Sequence, residues 1–557
     1  MNFPHCLMHS AFAALLLSGL SLMTTISPAQ AQENPSPTTA TTGAAERSDK
    51  PLVIPTPKEM QYVAGRQPFR LTRSAQFLVE EDTPGSRRAI AVLQEAIQAR
   101  YGWKPKVTFP DRNKKPLIAG ANPPGNTIRL VNSGGTPSPY GVVRTPDKPE
   151  GYAVEVRNDG VWVTGTDDAG ILWGAQTLVQ LMPRNERERK EVGIPAVEIR
   201  DYPTLAVRGV HLFHGKEALP FHKNLIERIY SPFKLNTIVI QAEQLKWESD
   251  PEVAPDWGGK KEDVRKEIAF AREHGITMIP LVQSYGHMEW MLRLPKNAQY
   301  AEDPDYGSDP EYQKDPDFIR EKERRGSYGT IPFTLNYTNP DAVRYMAQFN
   351  TEADELFDAP AFHIGFDEVA HKGRGRFPYR SRPRTFADLY VSAARLWHNF
   401  FEKRGKELWM WADMALHPTE VSPSFGTAPT AEDAQKVREG LPKDIVMVDW
   451  QYGAHDQFPS LKKLKDAGFE KIIAATWFNP TNIQNLSRAA AEVGALGVLQ
   501  TTWAGYESKE SVLEGQHRKQ FTAMVLAAEY FWNGGEGPAP DKLPYDPDEV
   551  FKQHYGK

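Results

Sequence analysis

Asp367 and Glu368 stand side by side after the apolar stretch Ala361-Phe362-His363-Ile364-Gly365-Phe366. Two carboxyl groups at the end of a buried strand suit general acid and base chemistry, in which one moves a proton while the other orients a reacting group. Neighbours on a strand point to opposite sides. The pair is therefore badly placed to straddle one sugar as opposed nucleophile and acid, whose carboxyls in a retaining glycosidase sit about 5 to 5.5 Å apart. The nucleophile then has to come from elsewhere. If the substrate carries a 2-acetamido group, its carbonyl oxygen can attack the anomeric carbon. Glu368 is left to protonate the leaving oxygen and Asp367 to orient the amide. A carboxylate neighbour and partial burial are expected to raise the Glu368 pKa, as an acid working near neutrality requires. The competing reading is that both residues only cap the start of the following helix, which acidic side chains favour.

The elements that must hold this pair are legible from residue 206 onward, where short β-branched apolar runs alternate with longer amphipathic segments. That alternation is the pattern of parallel strands buried by crossover helices. The runs are Val207–Phe213, Thr237–Ala242, Thr277–Gln283, Phe362–Phe366, Glu407–Trp411, Ile445–Trp450, Lys471–Trp477 and Gly497–Thr502. Eight strand-helix repeats predict a (β/α)8 barrel, and no Gly-rich phosphate loop follows the first strand to favour a nucleotide fold. The longest connection, 294–338, carries Asp303-Pro304-Asp305 and Asp315-Pro316-Asp317. Loops of that length usually serve a function or are disordered.

Upstream, residues 51–201 alternate short strands with turns. The unit Tyr152–Val156, Asn158-Asp159-Gly160, Val161–Thr164 predicts a hairpin. In Ala169–Met182 the residues Ile171, Leu172, Ala175, Leu178, Val179 and Met182 recur at helical spacing. A small α+β domain preceding the barrel (202–557) is expected. Residues 32–50 are rich in Pro, Thr, Ala and Ser and read as a linker. Residues 1–31 combine the apolar run Ala11–Met23 with the exit Ala29-Gln30-Ala31 and read as a cleaved signal peptide, although the preceding region lacks Lys and Arg. An exported protein, periplasmic or secreted, is expected. Cys6 precedes the apolar run, so the mature chain has no cysteine and no disulfide framework.

In a barrel of this kind the reacting groups sit where strands run out into the following loops. Strand one carries Arg208. Strand three leads to Gln283, Ser284 and His287, strand four to His363, Asp367 and Glu368, and strand five to Trp409, Trp411 and Asp413. The last three strands end in Trp450 and Tyr452, Trp477 and Asn479, and Trp503. Indole faces suit the apolar faces of a pyranose ring, and so many at equivalent strand ends exceed what core packing alone demands.

The segment His363-Ile364-Gly365-Phe366-Asp367-Glu368 resembles the His-x-Gly-x-Asp-Glu signature of glycoside hydrolase family 20, the β-N-acetylhexosaminidases. Asp201-Tyr202-Pro203 with Arg208-Gly209 is similar to the start of that family's first barrel strand, and Gly151–Met182 to its non-catalytic domain. The resemblance implies that Arg208 holds sugar hydroxyls, Asp367 steers the acetamido group, Glu368 is the acid and base, and Trp503 walls the pocket. It also implies a tyrosine at the acetamido oxygen, for which Tyr452 is the candidate, with Asn479 as a further polar contact. Within the family, Leu281–Trp290 looks closer to the hexosaminidase D branch, which often favours galactosamine substrates. Two segments depart from the pattern. Val210-His211-Leu212-Phe213-His214 replaces a Leu-Asp run, and Gln283-Ser284-Tyr285-Gly286-His287 replaces an acidic-Pro-Gly-His segment.

A formal net charge of −5 on 557 residues gives no basic surface for nucleic acid. The expected partner is a glycan carrying N-acetylhexosamine, with no membrane contact in the mature form and an undetermined oligomeric state. Glu368-x-x-His371 and Glu514-x-x-His517 have the spacing of di-iron bundles, but such sites need four facing helices. The Asp-Pro-Asp repeats lack the glycine and ligand spacing of a calcium loop. No metal or cofactor is expected. Two alternatives remain, a barrel that binds sugar without cleaving it and a double-displacement glycosidase whose nucleophile lies on another strand, for instance Asp413.

Overall fold

The computed structural model describes residues 51–556 apart from 110–125, 133–142, 185–189, 371–376 and most of 304–330. The expected signal peptide and linker, His371, and the repeats from Asp305 onward lie outside the described residues.

Turn and cap chemistry sets out the amino-terminal elements. Strands β1 (Glu59–Tyr62), β2 (Phe69–Thr72) and β3 (Gln76–Val79) precede helix α1 (Pro84–Tyr101), after which come β4 (Lys106–Thr108) and β5 (Thr127–Asn132). Helix α1 starts on a capping box between Thr83 and Ser86 and stops at Gly102, which adopts the left-handed φ of 80° that glycine tolerates. Asn158 and Asp159 join the predicted hairpin, β6 (Tyr152–Arg157) and β7 (Gly160–Gly165), which pair antiparallel from Arg157↔Gly160. Helix α2 (Asp168–Leu181) follows, its free amides capped by the Asp167 carboxylate, and β8 (Glu191–Ile194) and β9 (Val197–Asp201) complete this part. The sheet runs β1-β9-β6-β7-β5-β3-β4, while β2 and β8 form a separate ribbon. Both helices share one apolar core with the sheet through Leu93, Ile97, Val154, Val163, Leu172 and Leu178.

The eight predicted runs form a closed parallel barrel: β10 (Val207–Phe213), β11 (Thr237–Gln241), β12 (Thr277–Leu281), β13 (Ala361–His363), β14 (Glu407–Trp411), β15 (Val446–Trp450), β16 (Ile472–Thr476) and β17 (Gly497–Gln500). Strand β17 pairs back to β10 and leaves no open edge. Two-residue alternation splits the strands between two cores. Val239, Ile279, Leu281, Ala361, Trp409, Val446, Val448, Ile473, Ala475 and Leu499 fill the interior. Their neighbours in sequence, among them Val210, Ile238, Ile240, Phe362, Met410 and Ile472, face the helical ring. Each fully buried Val, Leu or Ile contributes roughly 1.5–3 kcal/mol. Filling the interior in this way leaves only the carboxyl ends of the strands free for a pocket. Among the described residues no helix is long and apolar enough to cross a membrane.

Strand one corrects one expectation. Its inward positions are Val207, Gly209, His211 and Phe213, so Arg208 points outward at the amino end of the barrel, away from the pocket. There it is fully buried, paired with Glu150 at 2.6 Å, and donates to the carbonyls of Lys234, Leu205 and Ala206. The Trp532 ring lies 5.0 Å from its guanidinium. Arg208 fastens the barrel to the amino-terminal domain and does not hold sugar.

Candidate active site

Strand β13 is only three residues long because the chain leaves extended geometry immediately after His363. Gly365, Phe366 and Glu368 all take positive φ, at 71°, 75° and 50°. Glycine is required at the first of these: a Cβ on Gly365 would lie 1.9 Å from Gln283 Oε1. Left-handed backbone at Phe366 and Glu368 costs of order 1 kcal/mol or more each, the kind of strain that concentrates at functional sites.

These turns overturn the expectation that Asp367 and Glu368 point apart. The Nε2 atom of His287 is 3.2 Å from Asp367 Oδ2 and also 3.2 Å from Glu368 Oε2, so the two carboxylates converge on one imidazole. His287 itself has a φ of 56°. Burial opposes charge on its ring, but Asp367 and Glu368 outweigh that and hold its pKa up to about 9. At neutral pH the ring carries its second proton. The ligand-type atoms of these three residues lie within 4.8 Å of one another, close enough for a metal ion.

Further partners hold the cluster. Gln283 Nε2 donates to Asp367 Oδ1 at 2.8 Å. Glu243 Oε1 accepts from the Gln283 amide at 2.8 Å and from Gln241 Nε2 at 3.2 Å, and burial pushes its pKa up to about 7. Gln241 Oε1 in turn meets His211 Nε2 at 3.0 Å, a ring that burial keeps neutral with a pKa of about 4. Phe333, at the far end of the long connection, packs edge-on against His287 at 4.7 Å.

The other side of the barrel mouth is aromatic. Trp450 lies 5.3 Å from Tyr452, and Tyr452 lies 5.7 Å from Trp477. The Tyr452 hydroxyl accepts from Trp503 Nε1 and Thr501 Oγ1, each at 3.2 Å. Gln520 Oε1 accepts from Trp477 Nε1 and from the Trp503 amide, which locks two indoles to one side chain. Trp503 continues the wall to His211 and Phe213, and Phe213 to Tyr506. The loop bearing Trp503 and Tyr506 is anchored at Ser508, whose hydroxyl meets His222 Nε2 at 2.7 Å, with His222 Nδ1 against buried Glu267 at 2.8 Å. An acidic cluster thus faces a ring of indole and phenol edges, as recognition of a pyranose with one reactive face requires.

Of the residues expected at the site, Asp367, Glu368, His287, Trp450, Tyr452, Trp477 and Trp503 come together at the mouth. Besides Arg208, four others do not line it. His363 is fully buried and accepts the Gly365 amide at Nδ1, supporting the left-handed turn. Trp409 fills the barrel interior, because the inward register of β14 begins below the pocket. Asn479 spends its side chain capping the helix Pro480–Glu492. Asp413 is buried against the Glu368 amide rather than facing the mouth. Trp411, 1% exposed and 4.6 Å from His363, closes the floor beneath the cluster. Sequence reasoning missed His211, Gln241 and Glu243. Their signal was the inward alternation Val239, Gln241, Glu243 running past the end of β11.

The chain is similar to known proteins in sequence and in fold. The profile of glycosyl hydrolase family 20, domain 2, matches residues 50–202, and that of the glycosyl hydrolase family 20 catalytic domain matches residues 196–534. A beta-hexosaminidase of Porphyromonas gingivalis is 24% identical over 454 residues, covering 74% of this chain and 53% of its own length. A lacto-N-biosidase of Bifidobacterium bifidum is 24% identical over 321 residues, 55% of this chain and 24% of its own. The chain thus spans about half or less of these relatives. An exo β-N-acetylglucosaminidase of Vibrio harveyi, solved with N-acetylglucosamine, has the same fold with a TM-score of 0.63 at 17% identity, covering 90% of this chain and 75% of its own.

Proposed function

The chain belongs to glycoside hydrolase family 20, and from that premise we propose that it is an exo-acting β-N-acetylhexosaminidase that releases terminal GlcNAc or GalNAc from glycans by substrate-assisted, retaining catalysis. The observation that carries this reading is the single imidazole shared by Asp367 and Glu368. With both carboxylates turned onto one histidine, neither is set opposite the other across a sugar ring. The nucleophile is then the acetamido oxygen of the substrate. It attacks the anomeric carbon as Glu368 gives its proton to the glycosidic oxygen and the aglycone leaves. Asp367, oriented by Gln283, accepts the acetamido N–H and offsets the positive charge that develops on the cyclised amide. Glu368, now a carboxylate, takes a proton from water as that water attacks the anomeric carbon from the face the aglycone left and breaks its bond to the acetamido oxygen, so the configuration is retained.

The acid step needs a proton on Glu368 in addition to the one that His287 holds. Trp450, Tyr452, Trp477 and Trp503 give the sugar its apolar contacts. The segment 1–31 directs the chain out of the cytoplasm, to the periplasm or the medium; the mass of the mature amino terminus tests that step. Hydrolysis of aryl β-N-acetylglucosaminide and β-N-acetylgalactosaminide, compared with the plain β-glucoside, tests the activity and ranks the two sugars. Equal turnover of the glucoside contradicts the reading.

A further inference from the structure

Asp413 was a candidate for contact with sugar, but its carboxyl is 2% exposed and sits behind the proposed acid. Oδ2 accepts the Glu368 amide at 3.0 Å and the Thr427 hydroxyl. Oδ1 is buried with no hydrogen-bond partner. The titratable groups facing it are Asp367 and Glu368 at the end of β13 and Tyr390 from the helix Phe386–Glu402. An ionised Asp413 would thus bury an unsatisfied oxygen beside two further carboxylates, an arrangement in which neutralisation by a proton is the lower-energy outcome. The Glu368 amide that it holds belongs to a residue in strained left-handed backbone.

We infer that Asp413 is a positioning residue that works as a neutral carboxylic acid, clamping the Glu368 amide and so the backbone turn that brings the Glu368 carboxylate to His287. The inference rests on the proposed role of Glu368. Burial first, and then the Asp367 charge, push the Asp413 pKa up to about 8, so the neutral form prevails through the neutral range. Neutrality has a second use: a third negative charge would compete with Asp367 and Glu368 for the one imidazolium. The double-displacement alternative loses its candidate here, because a buried acid facing the backbone is no nucleophile.

Asn reproduces the shape and the accepting oxygen of a neutral Asp, and Ala does not. Asp413→Asn is expected to keep kcat on an aryl N-acetylhexosaminide within about threefold, whereas Asp413→Ala loses at least 50-fold in kcat with KM within twofold. Thr427→Val, which removes the second donor to Oδ2, lowers kcat in the same sense and serves if the alanine variant does not fold. A pH-dependent melt reads the protonation state without turnover. A buried acid with a raised pKa destabilises the folded state increasingly as pH climbs from about 4 to about 8, and Asn carries no such loss. The Tm of Asp413→Asn should therefore exceed that of the wild type by several degrees more at pH 8 than at pH 5. An equal difference at both pH values, or an Asn variant as impaired as the Ala variant, overturns the inference. Because melting needs no substrate, a wild type inactive on N-acetylhexosaminides would count against the proposed function alone.

Discussion

His287 Nε2 lies 3.2 Å from Glu368 Oε2, and the contact ties the proposed proton donor to a group that changes charge in the alkaline range. Burial works against the charged ring, but the carboxylates hold its pKa up to about 9, above an unfolded value near 6.5. A histidine with a raised pKa adds its full stability below the unfolded value and loses it as pH rises through the folded value. Substituting His287 with Gln should flatten the decline of Tm between about pH 6.5 and 9. It should also lower kcat by about 100-fold, the usual loss when acid and base chemistry is disarranged. An unchanged pH profile of Tm contradicts the assignment.

Glu368→Gln keeps the shape of the side chain and removes the proton. Loss of about 10³-fold in kcat is expected on substrates with poor leaving groups, and much less on activated aryl glycosides that depart without protonation. Rates measured across a series of phenols of differing acidity check this. A uniform small loss places the acid elsewhere.

Arg208 separates packing from binding. Removing one partner of a buried pair leaves the other charge uncompensated, at a cost of about 3–5 kcal/mol. Arg208→Met should lower stability by that order in urea unfolding, while the protein that remains folded keeps its KM. A large rise in KM without loss of stability would restore a sugar-binding role.

Gly365→Ala tests the turn. Its Cβ would meet Gln283 Oε1 in a backbone already at a φ of 71°. A loss of about 1–3 kcal/mol is expected, together with a fall in kcat larger than any change in KM, because Gln283 would be driven from Asp367. Thermal melts and steady-state kinetics read both.

The barrel was legible because eight β-branched runs and their spacing encode strands directly, and the hairpin at Asn158-Asp159 carries its own turn chemistry. Strand β13 was not. Its apolar sequence reads as extended to Phe366, but Gly365 and Phe366 turn left-handed, and that reversal brings Asp367 and Glu368 together instead of apart. The inference that this pair cannot flank a sugar survives on different ground, a shared histidine in place of opposed side chains. Arg208, Trp409 and His363 were misplaced for one physical reason: residue type does not reveal whether a strand position faces pocket, interior or helices, and only the register settles it. Asn479 was legible as a cap, since Asn-Pro marks a helix start as readily as a site.

In the proposed reaction the substrate brings its own nucleophile because Asp367 and Glu368 sit on one side of the sugar. Aryl glycosides bearing N-acetyl, N-fluoroacetyl, N-difluoroacetyl and N-trifluoroacetyl groups weaken the amide oxygen step by step while leaving the anomeric centre alone. A steep fall in kcat along that series is expected, with retention of configuration in the product. A flat series would mean that a protein carboxylate attacks the sugar and would contradict it.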